Sequence, residues 1–203
     1  MISIKGKKLT ILNWLQAIVI IFICLPIFSW ANNVQIAKAA QQQVGKTLVY
    51  DPSYTVLAYP MGDIPLNRGV CTDVVIRALR SSHKVDLQQL VHEDMRQHFA
   101  VYPKMWGLTK PDKNIDHRRV PNLEVFFKRQ GKSLPVTQWA NDYQPGDIVS
   151  WRLDNGLPHI GIVSTNMNMD QTRLLVIHNI GWGAQEEDVL FEWKMSGHYR
   201  YYK

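Results

Sequence analysis

The chain has 203 residues, 46% of them hydrophobic, and a formal net charge of +6. This length and composition suit one globular domain with a hydrophobic core of its own. The positive charge is mild and no stripe of basic and aromatic residues is present, so we do not expect a nucleic-acid partner.

Residues 1–31 have the pattern of a secretory signal peptide. Three lysines between positions 5 and 8 precede an unbroken apolar run at 17–25, and Ser29-Trp30-Ala31 places small residues at a cleavage site. The apolar run is short for a membrane-spanning helix. We therefore expect a periplasmic or secreted protein without a stable membrane span, while an uncleaved anchor remains the alternative.

Cleavage after this leader leaves residues 32–203 as a single domain with 20 basic and 17 acidic residues, a net charge of +3. Cys24 leaves with the leader, and Cys71 is then the only cysteine. A lone cysteine in an exported chain forms no internal disulfide and risks oxidation. Its retention indicates a chemical role.

The first two thirds of the chain predict helices, from apolar residues spaced by three and four or from runs of helix formers. Asp86 is the predicted N-cap of one helix, Pro121 the first residue of another and Gly131 its stop. The predicted helices cover 34–43, 71–80, 86–99 and 121–131. Between the first two, 50–65 is rich in proline and is predicted to be irregular.

Beyond Leu134 the pattern changes to the alternation of strands. Asp154-Asn155-Gly156 is a strong hairpin signal between the first two of these strands. The predicted strands are 148–153, 158–163, 174–179, 189–193 and 198–202. Helices followed by an antiparallel sheet predict an α+β fold.

Cys71 opens the helix that the rest of the chain is organised around. At the first turn of a helix, unpaired backbone N–H groups and the helix dipole favour a thiolate. The alternative interpretation is a small core cysteine that happens to begin a helix.

Two histidines on neighbouring predicted strands complete a candidate site. If the strands pair through a turn at 166–170, His159 lies opposite His178 or Asn179 on one face. One ring would be the base for Cys71 and its neighbour would fix the tautomer. A metal site is the alternative, but two imidazoles without further ligands are thin evidence for one.

Four segments carry a resemblance to a known group of proteins. They are R-G-V-C-T-D-V-V-I-R at 68–77, P-G-D-I-V-S-W at 145–151, P-H-I-G-I-V at 158–163 and V-I-H-N-I-G at 176–181. These segments resemble the NlpC/P60 group of papain-like cell-wall peptidases.

From about Val34 onward, the chain more closely resembles bacterial domain-of-unknown-function family 1287. The segments L-V-H-E-D-M at 90–95, N-I-D-H-R-R-V-P-N-L at 114–123 and G-H-Y-R-Y at 197–201 carry this second resemblance.

The resemblance implies a papain-like fold in which the nucleophile helix packs on an antiparallel sheet. It implies that Cys71 is the nucleophile, His159 the base and His178 the orienting residue, with no metal or organic cofactor. Val70-Cys71-Thr72-Asp73 departs from the Asp-Cys-Ser-Gly of the peptidases, which puts their substrate rules in doubt. Asp73 would also raise the pKa of the thiol unless it caps the helix.

Substrate contacts are expected at four positions. Arg118, in the run Asp116-His117-Arg118-Arg119, is a candidate clamp for a substrate carboxylate, with a solvated loop as the alternative. Asp73, Asn179 and Trp182 are the other candidates.

The sequence therefore predicts a monomeric cysteine hydrolase that cleaves an amide bond, in peptidoglycan stem peptides. A non-catalytic module that binds envelope peptides or glycans through Trp151 and Trp182 is one alternative, and a thiol acyltransferase or esterase is another. The hydrolase predicts a low thiol pKa, whereas a binding module predicts an inert thiol.

Overall fold

In this computed structural model residues 30–203 are described, so the predicted leader lies outside them except for its last two residues. These described residues contain four α-helices: α1 at 30–41, α2 at Cys71–His83, α3 at Leu87–His98 and α4 at Val120–Arg129. Within residues 30–203, no helix is long and apolar enough to cross a membrane.

The helix boundaries follow the predicted signals closely. The Asp86 carboxylate accepts a hydrogen bond from the Gln88 backbone N–H at 3.1 Å, as expected of an N-cap. Pro121 lies in the first turn of α4, and Gly131, just past its end, has φ of 66°.

A five-stranded antiparallel sheet follows the helices. Its strands are β3 at Ile148–Arg152, β4 at Pro158–Met167, β5 at Leu174–His178, β6 at Gln185–Glu187 and β7 at Lys194–Tyr199. The order across the sheet is β6-β5-β4-β3-β7. The predicted α+β class is confirmed.

The closing strand predicted at 189–193 is wrong, and the one predicted at 198–202 begins earlier and shares only its first two residues with the observed strand. The apolar segment 189–193 turns back on itself, with the Glu192 N–H donating to the Val189 carbonyl, and packs over the sheet as a loop. The strands that close the sheet are the polar segment Gln185–Glu187 on one edge and Lys194–Tyr199 on the other.

A short parallel pair lies ahead of α2, where an irregular segment was predicted. Strand β1 at Val49–Tyr50 pairs with β2 at Arg68–Gly69. This pair fixes the chain directly before Cys71 and brings Tyr50 beside the start of α2.

The sheet has a hydrophobic core on each face. The helix-side core joins the four helices to Ile160, Ile162 and Ile177 of the sheet. The outer core lies on the opposite face and includes Val149, Trp151, Val163, Val176 and Leu190. Burial of each of these isoleucine side chains stabilises the fold by about 1.5–3 kcal/mol. Because side chains alternate between the two faces of β4, Ile160 and Ile162 both pack on the helix side and stabilise the contact with α2.

Candidate active site

Cys71 is the first residue of α2. Val70 before it is extended, with φ of −118°, and its N–H donates to the Asp73 carboxylate at 2.7 Å. Asp73 thus satisfies one backbone donor at the helix start, as a capping carboxylate does. The cysteine side chain is directed into the body of the protein and is only 5% exposed.

The surroundings of Cys71 change the pKa of its thiol in two opposite directions. Burial is the largest and raises the pKa of Cys71 to about 12, and the Asp73 charge acts in the same direction. The backbone N–H groups of Ile160, Thr72 and Cys71 itself favour the thiolate and lower the pKa, but by less. The raised pKa is opposite to the low value expected of a hydrolase thiol, because the cysteine is buried more deeply than its helix position indicates.

The two histidine rings are in direct contact. His159 Nε2 lies 2.8 Å from His178 Nδ1, and the rings meet edge to face. The strand register differs from the predicted one, since Gly161 and not His159 lies opposite His178. A shift of two residues keeps both histidines on one face, so the rings meet along a diagonal.

Gly161 makes this diagonal contact possible. A Cβ at this position would lie 2.8 Å from Val176 Cγ1 and 3.1 Å from His178 Cβ. The absence of a side chain lets the His178 ring lean across Gly161 towards His159.

The histidine pair is enclosed by indole rings. Trp151, directly opposite His159 on β3, stacks on its ring at 5.8 Å between centroids, and Trp193 meets both imidazoles edge to face. Burial, and then His178, lowers the pKa of His159 to about 3. Burial also lowers the pKa of His178, against an opposing effect of Glu187. Both rings are therefore neutral at neutral pH.

Cys71 and the histidine pair lie on different sides of the sheet. Cys71 packs with Ile160 in the helix-side core, whereas the rings contact Trp151 and Trp193 of the outer core. The Ile160 N–H that points at the Cys71 sulfur belongs to the residue directly after His159. Among residues 30–203, no hydrogen bond joins the sulfur to either ring. The Cys71 sulfur therefore lies against the backbone next to His159, and no thiol–imidazole pair is formed among the described residues.

A cavity of about 510 Å³ opens beside Cys71. Its walls are mainly aromatic and apolar, with two guanidinium groups. The residues that line it include Tyr50, Tyr54, Trp106, Arg119, Val120 and Leu157. Arg119 lies over the Trp106 ring at 4.2 Å and pairs with Asp116 at 3.4 Å.

Arg118 and Asp73 form a buried ion pair at 2.9 Å. Arg118 also donates to the backbone carbonyls of Ser53 and Asp51 at 3.2 and 3.1 Å. Arg118 does line the cavity, but its donors are largely used within the protein. These contacts contradict the solvated-loop interpretation of Arg118 and give Asp73 a structural role in place of a substrate contact.

The other two candidate substrate contacts lie elsewhere. Asn179 is fully buried, where its amide donates to the Gly69 carbonyl at 3.0 Å and its oxygen accepts from the Gly181 N–H. It ties the end of β5 to the strand before Cys71 and is not available to a substrate. Trp182 is 84% exposed and lies outside the cavity beside Cys71.

Two residues that contact the histidines and the strands of this region were not predicted from the sequence. Glu187 lies 2.8 Å from His178, but no local pattern separates it from its acidic neighbours in Gln185–Asp188. Asp147 of the Pro-Gly-Asp turn is fully buried and binds both His198 and Arg200. The motif at 145–147 therefore has a structural basis. No group of three or more potential metal ligands occurs within residues 30–203.

The fold and site define an α+β protein in which a helix begins at a buried cysteine and packs on an antiparallel sheet beside a histidine pair. Residues 37–201 match the family described as a domain of unknown function, DUF1287, and the chain belongs to this family. It is 65% identical over 171 residues to the uncharacterized protein YijF of Escherichia coli (strain K12), covering 84% of this chain and 82% of that protein.

Among solved structures, the chain is similar to NlpC1 from Trichomonas vaginalis, with 15% sequence identity and a TM-score of 0.43. The match covers 83% of this chain and 44% of that chain, so this chain spans less than half of its length.

Proposed function

We propose that this protein is a cysteine hydrolase that cleaves an amide bond, in peptidoglycan stem peptides, outside the cytoplasm. The observation that carries the proposal is the position of Cys71, which begins a helix and lines a cavity of about 510 Å³. The leader pattern at residues 1–31 and the resemblance to cell-wall peptidases support the location and the substrate.

His159 is the proposed base and Nδ1 its reacting atom, because Nε2 is held by His178. The resting pair is neutral, so the thiol proton moves to Nδ1 as the sulfur attacks the amide carbon. The C–N bond then breaks, the leaving amine takes the proton, and water releases the acyl group from sulfur. Catalytic hydrogen bonds often tighten only in the substrate complex, and the sulfur–Nδ1 contact is expected to form there.

The helix start supplies the oxyanion site in this mechanism. The backbone N–H groups of Cys71 and Thr72 already face the sulfur, where a developing oxyanion would lie close by. Arg119 at the cavity wall, stacked on Trp106, is the proposed partner of a substrate carboxylate in place of Arg118.

The binding module is the second candidate, and one observation favours it. A thiol whose pKa burial raises to about 12 is almost entirely protonated at neutral pH and is a poor nucleophile without a base. A module of this kind would hold the peptide or glycan in the cavity beside Cys71 and leave it uncut.

Digestion of soluble muropeptides, followed by mass spectrometry, distinguishes these two functions. We expect the wild type to cleave an amide bond and release a new amine. The cleavage rate of Cys71→Ala should be lower by at least about a thousandfold. Ser81→Ala, at an exposed position of the same helix, is the matched control and keeps the full rate. Equal cleavage by wild type and Cys71→Ala contradicts the hydrolase, and equal binding without cleavage establishes the binding module.

A further inference from the structure

Glu187 is a carboxylate in contact with the buried histidine pair. Its Oε2 lies 2.8 Å from His178 Nε2, and His178 Nδ1 lies 2.8 Å from His159 Nε2. The three side chains therefore form one series from the edge strand β6 to β4. The contact does not meet the geometry of a hydrogen bond, and Glu187 acts on His178 mainly through its charge.

Burial differs sharply along this series. His178 is fully buried and His159 is 3% exposed, whereas the Glu187 side chain is 48% exposed. Among residues 30–203, the hydrogen bonds and ion pairs of the two rings lead only to each other and to Glu187. Glu187 is therefore the charged side chain in contact with the histidine pair among the described residues.

The proton positions follow from counting donors and acceptors. An ionised carboxylate only accepts, so the proton of neutral His178 belongs on Nε2, beside Glu187. His178 Nδ1 is then an acceptor, and His159 must donate to it from Nε2. Neutral His159 has no second proton, so its Nδ1 carries a free lone pair. The opposite arrangement places two lone pairs face to face at Glu187 and protonates His159 Nδ1.

We propose that Glu187 is a positioning residue that makes His159 Nδ1 the basic atom by fixing the tautomers of two imidazole rings in series. The effect reaches His159 only through His178. The catalytic value of this arrangement rests on the proposed function, because Nδ1 is the atom assigned to receive the Cys71 proton. The tautomers themselves are a property of the protein without substrate.

Imidazole tautomers are measured directly by long-range proton–nitrogen correlation NMR on the unliganded full chain. We expect both rings of the wild type to carry their proton on Nε2. Glu187→Ala removes the acceptor, and Glu187→Lys replaces it with a donor that favours a lone pair on His178 Nε2. The fraction of His159 protonated at Nδ1 should rise from wild type through Ala to a majority in Lys.

Glu192→Lys is the matched control, since Glu192 is an exposed carboxylate of the neighbouring loop. It should leave both rings as in the wild type. Protonation of His159 at Nδ1 in the wild type overturns the proposal. The same His159 tautomer in the wild type, Glu187→Ala and Glu187→Lys also overturns it. Because no turnover is measured, a failed hydrolase assay does not affect this result.

Discussion

At the scale of single residues, Cys71 combines two opposed features. The first turn of a helix and three nearby N–H groups favour its thiolate, but burial outweighs them and raises the pKa to about 12. The sequence places the cysteine at the helix start correctly. It does not reveal the burial, which arises because β4 and the segment around Arg118 pack against this turn.

Arg118 is the residue that compensates the buried Asp73 charge. Arg118→Leu leaves this carboxylate buried and unpaired, so we expect the free energy of unfolding to fall by about 3–5 kcal/mol. Urea unfolding followed by circular dichroism measures the change. The double variant Asp73→Asn with Arg118→Leu should recover part of it, because the buried charge is gone.

Arg173→Leu is the control for the loss of an arginine in an ion pair. The pair of Arg173 with Asp188 is exposed on both sides, so its removal should have a much smaller effect. Equal losses from Arg118→Leu and Arg173→Leu would contradict the structural role of the Asp73–Arg118 pair.

At the scale of elements, strong local signals predicted α3, α4 and the β3–β4 hairpin. Asp86, Gly131 and the Asp154-Asn155-Gly156 turn each act through backbone chemistry that depends on few neighbours. The pair β1–β2 was missed because two-residue strands carry no detectable alternation. Strand β6 was missed because it is a polar edge strand that pairs on one side only.

The register between β4 and β5, the strands that carry the two histidines, was not predicted correctly from the sequence. Asn168 closes a longer loop than the predicted 166–170 turn, with its N–H donating to the Arg173 carbonyl at 2.9 Å. Strand β4 accordingly extends to Met167, and its pairing with β5 shifts between Val163 and Met167. The side-chain alternation still placed His159 and His178 on one face, which is why the histidine pair was found despite the wrong register.

At the scale of the whole molecule, buried histidines make stability depend on pH. Burial is the main cause that lowers the pKa of both His117 and His159 to about 3. An unfolded histidine has a pKa of about 6.5. Between these values the unfolded chain binds protons that the folded chain does not, so the free energy of unfolding falls as the pH falls. Asp116 opposes this below about pH 6, where burial raises its pKa.

We therefore expect the free energy of unfolding to fall between about pH 6.5 and pH 4. The two histidines together outweigh Asp116, and each uncompensated proton contributes up to about 1.4 kcal/mol per pH unit. Urea midpoints at several pH values measure the slope. His117→Gln should flatten it. A slope that is the same in His117→Gln and wild type would contradict this assignment.

The central claim is that the Cys71 sulfur becomes covalently bonded to the substrate. The most direct measurement is the mass of the intact protein after acid quenching during turnover of a muropeptide. We expect added mass equal to the acyl part of the substrate, mapped to the peptide that contains Cys71 and absent in Cys71→Ala. Accumulating products with no adduct on the wild type, or an adduct on a different residue, would contradict it.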